Sequence, residues 1–478
     1  MSDLLFLLKT FFGKENFRSN QREVIEALLS GQDVLAIWPT GAGKSLTYQL
    51  PALILPGLTI VVSPLIALME DQVRQLQQRH LPAAYLSSSQ TLAEKAQILT
   101  QLEQKQLKML FAAPERLLEN NFLELLKKQN ISLLAVDEAH CINQWGHDFR
   151  SSYLRLGEVV RALRPRSILA VTATADLLAA QQISLSLGLS QPLLSRLSLD
   201  RPNLNYKVLK STAEQRPWLA MAHLRRSGGL PAVIYVNRRK QAEKLALFFS
   251  CQNFRAAPYH AGLSAESRQK ILQAFLEDKL DLITATVAFG MGVDKPNIRQ
   301  VIHMAPPAAP ENYFQESGRA GRDRKAGRCL LMWAPEDFKH LQRCLEDSFP
   351  QKQEIDKFVH LASAEQISAT EMRRTNFRAM SSGAWTMLVR AALGYEADIK
   401  APAELKLEPE HLLNYFAALQ EGAQRRLDIM ESYCRTKLCR RQALLQSFAQ
   451  ASAERCDNCD NCLHWQRLAN RFKHDGAA

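Results

Sequence analysis

The most restrictive feature of this chain is an alternation of short apolar runs with amphipathic stretches, which stops and then starts again. Between Gln32 and about Leu199 the runs are Asp33–Trp38, Leu58–Val62, Leu107–Ala112, Leu133–Val136 and Ser167–Val171, with amphipathic segments such as Leu65–Gln78 and Leu92–Gln104 between them. Runs of that length, separated by helix-length segments, predict an α/β fold: a parallel sheet covered by helices on both faces. The pattern restarts at Ala232–Val236, with a helix expected through Phe249, and continues at Leu282–Ala285 and Val301–His303. Asp200-Arg-Pro-Asn203 falls between the halves and reads as a hinge. After about Asp347 the chain becomes helical and basic, with an exposed connector expected at 396–410. The length, 478 residues, suits about three domains at roughly 150 residues each.

The same pattern argues against a membrane protein. The longest uncharged stretch, Ser45–Met69, is long enough to imitate a spanning helix. Pro51, Pro56 and Pro64 interrupt it, so two or three buried strands and turns are expected instead. The N-terminus has an early acid and no basic segment before its five apolar residues, which makes a poor signal peptide. With 60 Lys+Arg against 48 Asp+Glu, the formal charge of +12 favours a polyanionic partner without identifying one.

Trp38-Pro-Thr-Gly-Ala-Gly-Lys-Ser45 follows the first strand and precedes a helix. That is the place for a P-loop, in which Thr40, Gly41, Ala42 and Gly43 bring backbone N–H groups to phosphate oxygens at a helix's positive end. Lys44 would reach the β- and γ-phosphates, and Ser45 would ligate Mg²⁺. The strict pattern has Gly where Trp38 stands. About ninety residues on, Val136-Asp-Glu-Ala-His140 ends another apolar strand. Asp137 there can hold Mg²⁺ opposite the P-loop, and Glu138 can polarise the attacking water. Read alone, Asp-Glu is equally well a solvated helix start; the P-loop upstream tips the reading toward chemistry. Further on, Gln315-Glu-Ser-Gly-Arg-Ala-Gly-Arg-Asp323 places Arg319 and Arg322 three apart, on one face if the segment is helical. Two such guanidiniums can meet charge spread over a γ-phosphoryl group, whereas the bland alternative is a basic surface helix.

Nine cysteines are present, five of them from Cys434 to Cys462. Cys456, Cys459 and Cys462 recur every three residues, so a tight turn can aim three thiolates at one ion. The fourth ligand is open on spacing alone, with Cys434, Cys439 and His464 in reach; an iron–sulfur cluster is the chemical rival to zinc. An odd cysteine total with such a cluster suits metal in a reducing compartment better than disulfides.

Taken together these residues resemble superfamily-two helicases, and specifically the RecQ family, over roughly 12–345 and again over 433–463. Phe17-Arg18-Ser-Asn-Gln21 is similar to the family's adenine-reading motif, with Arg18 and Gln21 in the reading positions. Ser63-Pro-Leu-Ile-Ala-Leu-Met69 resembles its DNA-tracking segment, and Ala113-Pro-Glu-Arg116 and Thr172-Ala-Thr174 stand at the expected intervals. Asp137–Arg150 is the most specific stretch. It is similar to the aromatic-rich loop that couples DNA binding to ATP hydrolysis in the family, which implies DNA contact or coupling for Ser63, His140, Gln144, Trp145, His147, Phe149 and Arg150. Trp145 and Phe149 offer faces for base stacking, worth about 1–3 kcal/mol per base. Tyr259-His-Ala-Gly262 and Ala285–Asn297 complete the second lobe, and the resemblance adds Asp294 and Gln315 to the ATP site. It also selects Cys439, 17 positions before Cys456, as the fourth zinc ligand.

The resemblance implies two tandem RecA-like lobes, 1–199 and 200–346, then a helical basic insert at 347–425 and a zinc-binding module at 426–478. It implies ATP, Mg²⁺ and Zn²⁺ as cofactors, and 3′-to-5′ ATP-driven movement on single-stranded DNA with duplex unwinding in recombination and repair, forked and partial-duplex DNA being further partners; a DNA-stimulated ATPase with weak unwinding and an RNA-dependent ATPase are the alternatives. Single-strand-binding protein and topoisomerase are candidate protein partners; a monomer, no membrane and a bacterial cytoplasmic, nucleoid-associated location complete the expectation. The sequence also departs from the family. Lys14 stands where an aromatic usually precedes the Phe-Arg pair, which predicts looser discrimination of ATP from GTP, and Ser151-Ser152 replace a usual Pro and acid. The winged-helix and accessory domains common in the family are not expected here, which weakens the case for robust unwinding. Arg373, Arg374, Arg378 and Arg390 with Phe377 and Trp385 read either as a substitute DNA surface or as the solvated face of a packing domain.

Overall fold

The computed structural model describes residues 4–39, 41–64, 66–87, 90–142, 151–173, 175, 177–290, 295–364, 388, 409–450 and 454–464. The chain forms two compact units, Met1–Ser198 with Glu346–Glu421, and Leu199–Leu345 with Gly422–Ala478.

The first unit contains β1 (Val34–Ile37), β2 (Leu58–Val62), β3 (Ala83–Leu86), β4 (Met109–Ala112), β5 (Ile131–Val136), β6 (Ile168–Thr172) and β7 (Leu193–Arg196). They lie in the order β3-β4-β2-β5-β6-β1-β7, every pair parallel. Alternate residues feed two cores. Leu35, Ile37, Ile60, Val62, Leu134 and Val136 enter one, while Val34, Ala36, Val61, Leu133, Ala135 and Val171 enter the other. A sheet buried on both faces explains why its strands read as unbroken apolar runs.

The second unit has six strands: β8 (Leu204–Lys210), β9 (Ala232–Tyr235), β10 (Ala256–Tyr259), β11 (Leu282–Ala285), β12 (Gln300–His303) and β13 (Gly327–Trp333). Their order is β10-β11-β9-β12-β13-β8, again all parallel.

Three segments differ from the sequence expectation. Ser45–Met69 holds the helix Leu46–Ile54, which contains Pro51, then β2 and the start of the helix Ile66–Gln78, not a run of strands. The helix Pro310–Ser317 ends before Arg319, so Arg319 and Arg322 lie in the turn that follows it and share no helical face. Gly321, at φ +56, makes that turn: a Cβ there would lie 2.5 Å from both Asn203 Nδ2 and Lys325 O. Finally, among the described residues the cysteine-rich region has no core of its own. Cys439, Leu444, Leu445, Phe448, Cys459 and Cys462 share one core with Tyr206, Tyr313, Phe314 and Leu331. Phe448 meets Phe314 edge-on with ring centroids 5.2 Å apart. Among the described residues no helix is long and apolar enough to cross a membrane.

Candidate functional site

The phosphate loop leaves the C-terminal end of β1, the edge at which open α/β sheets bind ligands. Gly41 and Gly43 adopt left-handed φ values of +88 and +83, which bend the loop back on itself before the helix Leu46–Ile54 starts. A Cβ on Gly41 would meet nothing within 4 Å, so the loop keeps an open cradle on that side. On Gly43 a Cβ would fall 2.4 Å from the Gln21 amide nitrogen. That amide donates to the carbonyls of Ala42 (3.3 Å) and Gly43 (3.0 Å), and Arg18 Nη1 donates to Gly41 O at 3.3 Å. The Arg18 amide in turn donates to Gln21 Oε1 at 2.8 Å. The two residues expected to read the base therefore also brace the loop. Thr40 lies outside the described residues.

Trp38, which replaces the glycine of the strict pattern, is wholly buried and donates its indole N–H to Ser195 Oγ at 3.2 Å. It is an anchor for the end of β1, and the backbone approach that a phosphate needs is left to Gly41 and Gly43.

Asp137 ends β5, separated from β1 by β6. It is buried, and its carboxyl is pushed up to about 6 by loss of water and by Glu138, against the pull of the Lys44 charge and of the Glu138 amide. The Tyr48 hydroxyl, one turn beyond Ser45, is also buried beside them: burial and the Asp137 charge hold its proton on, while the Ser45 side chain bonds to it. A hydroxyl at Ser45 and a carboxylate at Asp137 form the hard oxygen set that Mg²⁺ takes, usually with phosphates and water completing its shell. Glu138 has φ +50, an uncommon backbone state for a residue with a side chain and one that concentrates at functional sites. Its Oε2 lies 3.3 Å from His140 Nδ1, and the same nitrogen is 2.9 Å from Thr172 Oγ1 at the end of β6. Tyr153, fully buried, donates to Asp137 O at 3.0 Å, and Ser152 Oγ donates to Glu115 Oε1 at 2.7 Å. Ser63, expected at DNA, is buried, and its hydroxyl has no hydrogen-bond partner among the described residues. Gln144, Trp145, His147, Phe149 and Arg150 lie outside the described residues, as does Asp294.

In the second unit, Arg319 is buried, and its Nε and Nη1 have no hydrogen-bond partner among the described residues. Tyr235 lies beside it and donates to Phe289 O at 2.7 Å; its phenol is held protonated by burial, although the Arg319 charge works the other way. Arg322 is half-buried in the same turn, and Gln315 lies in the preceding helix. Glu316 accepts from His303 at 2.7 Å across that helix and β12, a buried pair that sequence spacing does not single out.

The thiols of Cys439, Cys456, Cys459 and Cys462 all lie within 4.8 Å of one another. A tetrahedral zinc with Zn–S near 2.3 Å needs thiolates roughly 3.8 Å apart, so the set fits one ion with little contraction. Cys434 is absent from the group: it is buried in the shared core, where loss of water keeps its thiol protonated. His464 is exposed and also stands apart. Amides of Cys456, Arg440 and Cys462 point at the sulfurs of Cys439 and Cys459 at 3.4–3.5 Å. The Cys459 thiol is pulled down to about 5, first by the Cys456 thiol and then, against the effect of burial, by the amides of Cys462 and Arg440. Asp460 joins the loop to the sheet, accepting from Val208 N on β8 (2.9 Å) and from Arg440 Nε (3.0 Å).

Comparison with known proteins agrees with this layout. Residues 18–183 match the DEAD/DEAH box helicase family, 217–324 the helicase conserved C-terminal domain, and 410–463 the RecQ zinc-binding domain. A solved structure of the Mycobacterium smegmatis helicase Lhr, bound to single-stranded DNA and AMP-PNP, has a TM-score of 0.57 at 18% identity, covering 72% of this chain and 49% of that one. Saccharomyces cerevisiae Dbp5, bound to RNA and ADP BeF3, also gives 0.57 at 16% identity, covering 70% of this chain and 90% of that one. The class is therefore a chain with the paired sheet domains of DEAD/DEAH-box helicases.

Relatives narrow the class. An ATP-dependent DNA helicase RecQ of Synechocystis is 35% identical over 491 aligned positions, 95% of this chain and 97% of that protein. A probable ATP-dependent DNA helicase RecS of Bacillus subtilis is 36% identical, covering 97% and 92%. The RecQ of Haemophilus influenzae is 42% identical over 73% of this chain, which spans only 56% of that protein's length. The chain belongs to the RecQ family of ATP-dependent DNA helicases, and its four-thiol site is the family's zinc site.

Proposed function

We propose that this protein is an ATP-dependent DNA helicase or translocase that moves 3′ to 5′ on single-stranded DNA. The observation that carries the reading is that the Gly41–Gly43 loop and Asp137 follow the C-terminal ends of β1 and β5 in one parallel sheet, with Glu138 in a strained backbone state next to Asp137. In this reading the Gly41–Gly43 loop and Lys44 bind the phosphates of ATP, with Arg18 and Gln21 beside the base. Ser45 and Asp137 would hold Mg²⁺, whose charge neutralises the phosphates when it is bound. Glu138 takes the proton of the attacking water; His140 fixes its orientation through Thr172. Arg319 and Arg322 supply positive charge to the γ-phosphoryl group. The zinc module is structural, tying Cys439 to the 456–462 loop.

DNA is favoured over RNA by family membership, because the fold alone hosts both. Domain limits near 199 and 346, DNA contact through Trp145 and its neighbours, and a role in recombination and repair belong to the same proposal. The test is ATP turnover with no nucleic acid, with single-stranded DNA and with RNA, followed by unwinding of a forked duplex. Stimulation by single-stranded DNA of at least tenfold, and a smaller effect of RNA, is expected; turnover indifferent to every polynucleotide overturns the reading.

A further inference from the structure

We infer that Arg201 is a positioning residue for ATP hydrolysis: with Asn203 it clamps the backbone turn from which Arg319 and Arg322 project. The inference rests on the reading above, in which those two arginines serve the γ-phosphoryl group. The helix Pro310–Ser317 stops short of them, and the carbonyls that follow a helix end need donors. One side chain supplies most of these. Arg201 Nη1 donates to Gly318 O at 3.1 Å, and its Nη2 donates to both Ala320 O and Gly321 O at 2.9 Å. Asn203 Nδ2 closes the far side, donating to Gly321 O (2.9 Å) and Lys325 O (2.8 Å), while Gly327 N donates back to Asn203 O at 3.0 Å. Arg201 Nε faces Asn203 Oδ1 at 3.4 Å, so the two donors are aligned with each other.

The consequence for Arg319 follows from what it lacks. Its guanidinium is buried, yet Nε and Nη1 have no hydrogen-bond partner among the described residues. Besides the bond it donates to the Tyr235 hydroxyl, the Arg319 side chain is placed by the backbone it hangs from, and that backbone is held by Arg201. Only a planar fork reaches three carbonyls on one turn at once; an ammonium group cannot reproduce it. The clamp is itself anchored. Just before it, Leu199 N donates to Gln450 Oε1 at 2.8 Å, and Asp200 pairs with Arg441 at 3.0 Å, on the helix that follows the zinc ligand Cys439. The segment that reads in the sequence as a hinge is thus a fastened strap within the second unit.

The experiment compares full-length Arg201→Ala, Arg201→Lys, Arg319→Ala and the double variant Arg201→Ala/Arg319→Ala with wild type. DNA-saturated kcat, KM for ATP and thermal melting are measured for each. A misplaced arginine turn should lower kcat of Arg201→Ala roughly ten- to hundredfold with KM within about threefold, and Arg201→Lys should fall between it and wild type. In the double variant the two losses should fall short of multiplying, because Arg201 acts in part through Arg319 and keeps only its effect on Arg322 once Arg319 is gone. A folded Arg201→Ala with turnover within twofold of wild type overturns the inference, as do losses that multiply in the double variant. If Arg201→Ala melts early, Arg201→Lys is judged by the same kcat and KM criterion. A wild-type chain that does not hydrolyse ATP overturns the reading of the site itself. Turnover impaired by Arg319→Ala but not by either Arg201 variant overturns the clamp alone.

Discussion

Buried at the end of β5, the Asp137 carboxyl is pushed up to about 6, by desolvation first and Glu138 second. An unfolded aspartate titrates near 3.9, so between about pH 4 and 6 the unfolded chain releases this proton while the folded chain keeps it. Stability at this site is therefore fullest below that window, falls as pH rises through it, and stays lower at neutral pH. Asparagine has the same shape without the charge. Asp137→Asn should accordingly be more stable than wild type at pH 7 in EDTA, by on the order of 1–3 kcal/mol, while hydrolysis is lost. Differential scanning calorimetry checks this; a melting temperature equal to or below that of wild type counts against it. At this scale the sequence is legible where chemistry fixes the spacing. Lys44, Ser45, Asp137 and the cysteines of the 456–462 loop stand out because phosphate and metal geometry dictate their intervals. Arg201 does not, because its acceptors are carbonyls that every residue carries. Trp38 misleads a strict pattern search, since its indole packs into core while the glycines do the backbone work.

Among elements, the shared core of the second unit makes a metal prediction that separates neighbouring cysteines. Cys439 is a ligand by position, while Cys434, five residues earlier on the last turns of the helix Pro409–Arg435, is a core thiol. Cys439→Ser should lose the bound zinc and lower the melting temperature. Cys434→Ser should keep one zinc per chain and cost only the burial of a hydroxyl in an apolar site, roughly 1–3 kcal/mol. Metal analysis of the purified variants, beside their melting curves, decides it, and zinc loss in Cys434→Ser with retention in Cys439→Ser reverses the assignment. The loss should reach beyond the module, because Phe448 packs on Phe314 and Asp460 is tied to β8. Strands were unevenly legible for a related reason. Apolar runs pick out β1, β2, β4, β5 and β6, yet miss β3 and β7, which are the two edges of that sheet. In the second sheet they miss the edges β8 and β10, where residues such as Asn205, Lys207 and Pro258 break the run. A strand paired on one side only needs less apolar surface, so its signal fades into that of a loop. β13 carries a buried run, Cys329–Trp333, that the same criterion could have found.

For the whole molecule the open quantity is where a formal charge of +12 meets DNA. Each Lys or Arg that neutralises a phosphate releases a counterion, so affinity falls with salt by a slope of about 0.7 per contact on single strands. Contacts to phosphate therefore reveal themselves by slope, whereas packing residues change affinity without changing it. Arg373 and Arg374 lie outside the described residues, so their sequence setting is the argument: basic residues interleaved with Phe377 and Trp385. If that segment touches DNA, Arg373→Glu with Arg374→Glu should weaken single-strand binding and flatten the log–log salt slope by roughly 1–2. Filter binding at a series of salt concentrations measures both. An unchanged affinity and slope assigns the segment to packing, and most of the excess charge must then act from the two sheet domains.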